Sequence, residues 1–196
     1  MKKLLYVEEN FITPDECQEL INLSLSNRGK EMPYGNKSRG GDTFLTTVDH
    51  NNPEESLSKG IDWVNHGASY CGGNVDPVKP PLDYDVITKV NTLCKSFDSE
   101  IELDYVGVVR WPVGTFMKPH VDDNNVHNPD VFAAMLYLND DFTGGHTLFE
   151  QYDIKPEVGK LVVFSNSQLL HYVSQVEDSE RFVLSFWYKR LTSTTE

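Results

Sequence analysis

The spacing of apolar positions changes character near residue 100. Before that point it is helical. Cys17, Leu20, Ile21, Leu23 and Leu25 recur at mostly helical intervals after a start signal at Thr13-Pro14-Asp15-Glu16. Thr13 can cap, Pro14 suits the first helical position and Glu16 completes a capping box, so a helix is predicted that ends near residues 27–29. Pro80 and Pro81 mark a break, after which Ile87, Val90, Leu93, Cys94 and Phe97 form one stripe of a second amphipathic helix over residues 83–97. A short strand is predicted at residues 4–7. Beyond residue 100 the pattern turns to β-rich runs at 101–111, 132–138, 146–149, 160–164 and 181–188, separated by Gly, Pro, Asn and Asp turns. Two helices followed by an all-β half predict a mainly β fold with flanking helices (α+β), a sandwich or barrel braced from outside.

Residues 28–82 are rich in Gly, Asn, Ser and Pro, with one clear strand candidate at 44–48, where Thr46, Thr47 and Val48 are β-branched. A tract of that length in a compact domain reads as substrate loops with short elements. Tyr34, Arg39, Trp63 and Tyr70 are contact candidates there, beside the plainer reading as surface side chains. Residues 191–196 read as a frayed tail.

At 196 residues the chain has the size of a single domain. A formal net charge of −13, with basic residues scattered, argues against a nucleic-acid partner. Cys17, Cys71 and Cys94 form no CxxC pair and leave one unpaired in any disulfide scheme, which fits a reducing compartment. Glu8 and Glu9 interrupt the N-terminal apolar run, so it reads as neither signal peptide nor membrane span. A cytoplasmic protein without a membrane partner is the expectation; oligomeric state is not readable.

The candidate chemistry centres on His120-x-Asp122. On an extended strand, side chains two apart leave the same face. One imidazole and one carboxylate side by side are half of a divalent-metal site, and a structural His–Asp hydrogen bond explains the pair as well. His171, just after the apolar run 161–164, is the best third ligand. Two histidines and one aspartate are the facial triad of non-haem Fe(II) oxygenases, and they also suit catalytic zinc. In the run 181–187, Arg181, Val183, Ser185 and Trp187 share one face, and Phe182, Leu184, Phe186 and Tyr188 the other. An arginine facing an apolar interior needs an anion, either an internal acid or a dicarboxylate ligand; at a strand edge it would be solvated.

The ordered set Trp111-x-x-Gly114, His120-x-Asp122, Tyr137-Leu138-Asn139, Gly144-Gly145-x-Thr147-x-Phe149, Pro156-x-x-Gly159, Phe164, His171, Arg181 and Trp187 resembles the 2-oxoglutarate- and Fe(II)-dependent dioxygenases of prolyl 4-hydroxylase type. Residues 11–20 are similar to that family's first helix. The resemblance implies one dioxygenase domain over 1–196. In it, 1–100 supply helical support and substrate loops, and 101–190 a double-stranded β-helix (jelly-roll, cupin-like) core. His120, Asp122 and His171 match the iron ligands, and Arg181 the residue that pairs with the distal carboxylate of 2-oxoglutarate. Tyr137 matches a tyrosine that assists that carboxylate. Trp111 stands at a cosubstrate-binding position where the family usually has tyrosine. His146 replaces a common acidic residue and reads as a turn residue rather than a fourth metal-proximal group. His50 and His127 read as solvated, and Asp123 and Asp140-Asp141 as pointing away from the metal.

The activity implied is O2-dependent hydroxylation of a peptidyl proline or another protein side chain, with ascorbate as reductant. A free amino acid or small molecule is the next substrate class. Asp122 favours hydroxylation, since related halogenases lack the carboxylate. Nucleic-acid demethylases of the superfamily resemble Arg-x5-Arg, whereas Arg181 is followed at the second position by Trp187. A zinc hydrolase and a non-catalytic cupin-like metal-binding module are the readings from other classes.

Overall fold

The computed structural model describes residues 4–26, 32–33, 69–71, 85–111, 113–122 and 130–191. The strand expected at 44–48, the contact candidates Tyr34, Arg39 and Trp63, and His50, Asp123 and His127 lie outside the described residues.

Chain order begins with β1 (Leu5–Glu8), α1 (Pro14–Ser26), β2 (Met32–Pro33), β3 (Ser69–Cys71) and α2 (Asp85–Phe97). The β-rich half follows: β4 (Ile101–Trp111), β5 (Met117–His120), β6 (Asp130–Tyr137), β7 (Thr143–Gly144), β8 (Thr147–Phe149), β9 (Asp153–Ile154), β10 (Leu161–Phe164), β11 (His171–Val173), β12 (Val176–Glu177) and β13 (Arg181–Arg190). The strands expected within the described residues all appear, shifted by a residue or two at most boundaries. Pattern reading misses β2, β3, β5, β7, β9, β11 and β12, which are only two to four residues long. Periodicity needs a longer window than that.

The capping box at α1 forms as expected. The Glu16 backbone N–H donates to Thr13 Oγ1 at 3.2 Å, and the Thr13 N–H donates back to Glu16 Oε2 at 2.8 Å. Leu25 departs from the expected stripe: it is 41% exposed, facing away from the sheet. In α2, Ile87, Val90 and Cys94 are buried as the stripe predicts, while Phe97 lies half out and stacks on Tyr6 at 5.1 Å between ring centroids.

A seven-stranded antiparallel sheet runs in the order β1-β10-β6-β13-β4-β3-β2, and a four-stranded one in the order β5-β11-β8-β9. β7 and β12 form a separate two-stranded ribbon. The central strand β13 lies between β6 and β4 and is buried over Arg181–Tyr188. Because strand side chains alternate, it feeds two cores. Phe182, Leu184, Phe186 and Tyr188 pack with Cys17 and Leu20 of α1 and Val86, Val90 and Cys94 of α2. Val183 and Trp187 pack with Val109, Trp111, Tyr137, Phe164 and Val173 on the side of the smaller sheet. Each fully buried apolar side chain contributes on the order of 1.5–3 kcal/mol.

Gly159 ties the first residues to this frame. Its φ of +77° suits glycine, and a Cβ there would come within 2.3 Å of the Ile12 carbonyl oxygen. That close approach lets Phe11 donate its N–H to the Gly159 carbonyl at 2.8 Å while Gly159 donates to Tyr137 O at 2.9 Å. No helix among the described residues is long and apolar enough to cross a membrane.

Candidate metal centre and anion pocket

His120 ends β5 and His171 begins β11, and the two are register partners across the antiparallel pair. Register partners share a face, so the imidazoles meet, with centroids 4.3 Å apart. Asp122 lies just past the end of β5, its backbone N–H donating to Asn166 O at 2.9 Å. Asp122 Oδ1 is thereby 3.3 Å from His120 Nε2 and 3.8 Å from His171 Nε2. One ligand atom from each of the three side chains falls within 4.8 Å of the others.

The His171 ring is held in place. Its Nδ1 lies 2.8 Å from the Leu169 carbonyl, a contact only a donor can make, which leaves the Nε2 lone pair turned toward Asp122. Phe164 packs on the same ring edge-on at 4.7 Å. Asp122 and His171 are buried, whereas the His120 side chain keeps 36% exposure and marks the open side. Burial pushes the Asp122 carboxyl up, but hydrogen bonding from His120 and the nearby imidazole of His171 outweigh it and hold the group below the usual carboxylate range. Burial pushes His171 down, against the pull of Asp122. A carboxylate oxygen and two imidazole nitrogens converging on one point are what a divalent cation of intermediate hardness requires, the metal taking the place of the proton shared between them. The donor set fits Fe(II).

Arg181 is 1% exposed, which excludes the solvated strand edge. Its guanidinium lies over the Trp111 ring at 5.0 Å and the Tyr137 ring at 5.3 Å. Its Nη2 donates to Thr147 Oγ1 at 3.3 Å, and Nε has no partner. Among the described residues no carboxylate pairs with it. Arginine keeps its charge even where burial lowers its pKa. A buried cation with an unsatisfied N–H and no counter-ion is costly, and an anionic ligand group fits the position. Tyr137, fully buried, donates its hydroxyl to Thr147 Oγ1 at 2.6 Å, so its partner is a side chain beside Arg181 rather than the backbone. Gly145 makes room: with φ +61° it passes so close that a Cβ would lie 2.9 Å from Arg181 Cδ.

A cavity of about 480 Å³ opens onto the metal centre. Its walls are mostly apolar, including Trp111, Met117, Met135 and Phe164, with Ser185 and the three ligands as the polar groups. Apolar walls with a few convergent polar groups suit a small organic ligand. Trp111 both lines the cavity and packs against the Arg181 guanidinium. His146 takes no part in the metal set; its Nδ1 meets Asp153 Oδ1 at 2.7 Å at the start of β8. Asp140 and Asp141 are exposed, away from the ligands.

Sequence reading brings together His120, Asp122 and His171, and also Arg181, Tyr137 and Trp111. It misses the roles of Thr147 and Asn166. Thr147 sits inside the glycine-rich motif and could have been found by asking what a buried Tyr137 hydroxyl bonds to. Asn166 carries no sequence signal, since only the fold brings it to Asp122.

Residues 106–189 match the model of the 2OG-Fe(II) oxygenase superfamily. A rat prolyl 3-hydroxylase 2 is 34% identical over 65 residues, 29% of this chain and 9% of the relative. A mouse prolyl 3-hydroxylase 1 is 24% identical over 215 aligned positions, covering 93% of this chain and 28% of the relative. The chain thus spans less than a third of the length of these curated relatives. Among solved structures, a Pseudomonas putida prolyl-4-hydroxylase superposes with a TM-score of 0.65 at 16% identity, covering 95% of this chain and 92% of that one. A collagen prolyl hydroxylase of Paramecium bursaria Chlorella virus-1, solved with 2OG, gives 0.61 at 17%, covering 96% of each. A Trichoplax adhaerens prolyl hydroxylase, in complex with a hypoxia inducible factor peptide, gives 0.65 at 15%, covering 94% of this chain and 82% of that one. Matched segment, shared fold and convergent side chains agree: residues 106–189 match the 2OG-Fe(II) oxygenase superfamily, in a fold shared with prolyl hydroxylases.

Proposed function

We propose that this protein is an Fe(II)- and 2-oxoglutarate-dependent dioxygenase that hydroxylates a peptidyl proline or another protein side chain. The single observation that carries the reading is Arg181, a buried guanidinium without a counter-ion among the described residues, on the face of β13 whose Ser185 and Trp187 line the cavity of the His-Asp-His set. Iron with 2-oxoglutarate supplies O2-dependent hydroxylation of a C–H bond, the cosubstrate leaving as succinate and CO2.

This chain's residues orient and shield that chemistry. His120, Asp122 and His171 would hold the metal, a set of three ligands that would leave room for cosubstrate and O2. Arg181 would meet the distal carboxylate of 2-oxoglutarate through its unpartnered Nε–H, with the Tyr137–Thr147 hydroxyl pair beside it. Trp111 packs on the cation and lines the cavity, so that it touches both parts of the site. The apolar walls keep bulk water from the reacting carbon. The two facing antiparallel sheets are read as a double-stranded β-helix, with α1 and α2 against the larger one, and residues 1–196 as one domain.

A peptide substrate is supported by the prolyl hydroxylases above, one of which holds a peptide. The relatives include both 3- and 4-hydroxylases, so the position attacked is set by product analysis.

The test is turnover of purified protein with Fe(II), 2-oxoglutarate, ascorbate and O2, following succinate with and without a panel of proline-rich peptides. Succinate is expected to depend on iron and to rise with a peptide that is hydroxylated. His120→Ala is expected to abolish it; unaltered turnover in that variant would refute the catalytic assignment. Succinate without any peptide effect, but raised by a free amino acid, would move the substrate to that class.

A further inference from the structure

The two oxygens of the Asp122 carboxylate have different surroundings. Oδ1 faces the imidazoles, 3.3 Å from His120 Nε2 and 3.8 Å from His171 Nε2. Oδ2 accepts two hydrogen bonds from the opposite side, from Asn166 Nδ2 at 3.1 Å and Trp187 Nε1 at 3.2 Å. We propose that Asn166 and Trp187 are positioning residues that fix Asp122 as a one-oxygen metal ligand, an inference that rests on the metal-site reading above.

A carboxylate oxygen offers about two lone-pair directions, and two N–H donors occupy both on Oδ2. To bind a metal through both oxygens, the group would have to turn and abandon two charge-assisted bonds inside a buried site, where no water replaces them. Only Oδ1 is left for the ion. The consequence is chemical. Three single-atom ligands leave three octahedral positions for a chelating oxo acid and O2, whereas a chelating carboxylate would consume one of them.

Each donor is itself constrained. Asn166 is 0% exposed and holds Asp122 at two points, through its side-chain amide and through its backbone carbonyl, which accepts the Asp122 N–H at 2.9 Å. Its own Oδ1 is buried without a partner, so the amide orientation is dictated by Asp122 alone; turned over, it would set one oxygen against another. Trp187 is on the same face of β13 as Arg181, so one rigid strand supplies both the donor to the metal ligand and the anion anchor. Asn166 comes from the opposite side, in the turn between β10 and β11. The carboxylate is therefore gripped from two unrelated elements.

Co(II) titration of the protein without cosubstrate tests this, reading Kd and the visible absorption of the bound ion. Trp187→Phe keeps the ring packing and removes the N–H, and Asn166→Ala removes the amide while its backbone carbonyl remains. Each is expected to weaken Co(II) binding by about 10- to 100-fold and to change the absorption band, as the freed carboxylate alters the coordination. Trp187→Phe is expected to melt lower, because a buried acceptor loses a donor, and a cooperative melting curve shows that the variant remains folded for the titration. Unaltered Kd and unaltered absorption in both variants would overturn the proposal while leaving the metal site standing, provided His120→Ala still abolishes binding. Absence of Co(II) binding in the unmodified protein would remove the metal-site reading, and this inference with it. Should Trp187→Phe fail to fold, Asn166→Ala decides alone.

Discussion

Along β13, Phe182, Leu184, Phe186 and Tyr188 turn to one side and Arg181, Val183, Ser185 and Trp187 to the other, and both sides are buried to similar depth. The first side meets two helices and is filled with apolar side chains whose contribution is non-directional. The second meets the smaller sheet and carries a guanidinium, a hydroxyl and an indole N–H, each needing a partner at a fixed distance. Equal burial thus has opposite meanings on the two faces of one strand. On the helix side it stabilises the fold; on the site side it spends stability on groups that await a ligand. Substitutions on the first face should change melting and leave ligand affinity alone, and substitutions on the second should do the reverse.

The largest effect is expected from Arg181→Met. Removing one partner of a buried charge pair costs binding about 2–5 kcal/mol, so 2-oxoglutarate affinity should fall roughly 30-fold to more than 10³-fold. Metal affinity should hold, and thermal stability should stay level or rise, because an uncompensated buried cation is replaced by a side chain of similar volume. Calorimetric titration and a melting curve check both halves. A fall in stability equal to the loss of affinity would merge the two faces into one.

Leu184→Ala probes the opposite face. Leu184 is 3% exposed in the helix-side core, and truncation there should cost about 2–5 kcal/mol of unfolding free energy. The Kd for Co(II) and for 2-oxoglutarate, measured below the lowered melting temperature, should be unaltered.

Thr147→Val sharpens the contrast, since it couples the two properties. Thr147 Oγ1 accepts from both the Tyr137 hydroxyl and Arg181 Nη2, so valine leaves two buried donors unsatisfied, at a cost of about 1–3 kcal/mol. The carboxylate of 2-oxoglutarate would supply acceptors to both. The destabilisation should therefore shrink when saturating 2-oxoglutarate is added to the metal-loaded protein. An equal loss with and without it would detach Thr147 from the anion pocket.

What sequence made legible follows the same division. The alternation in 181–188 assigns every side chain of β13 to its correct face, because a two-residue period in a long buried strand leaves no ambiguity. The box at Thr13 and Glu16 likewise marks α1 to within a residue at its start, since a capping box is a local interaction. The metal set is legible in part for the same reason: His120 and Asp122 are neighbours. His171 joins them through the β5–β11 register, which a three-residue strand does not announce. Asn166 is further out of reach, because its contact with Asp122 depends on where the turn after β10 arrives in space. The strip between α1 and α2 shows no periodicity to read, and most of it lies outside the described residues.

The smallest effect tests the helix side at its edge. Thr13→Ala removes the Oγ1 that accepts the Glu16 N–H, a change that costs about 1 kcal/mol at helix starts. Glu16 also meets Lys89 of α2 at 3.2 Å, but the pair is largely exposed and adds little. The backbone and hydroxyl of Thr13, in that order, hold the Glu16 carboxyl below its ordinary value of 4.5. A carboxyl lowered on folding contributes stability that is complete above its unfolded pKa and disappears as pH falls through the lower, folded one. The difference in melting temperature between Thr13→Ala and the unmodified protein should accordingly be present at pH 7 and shrink below about pH 4. Metal and 2-oxoglutarate affinity should not respond at pH 7, since α1 touches only the helix-side core. If either moved with this distant cap, the helix-side core would be supporting the site geometry as well as the fold, and the division along β13 would have to be redrawn.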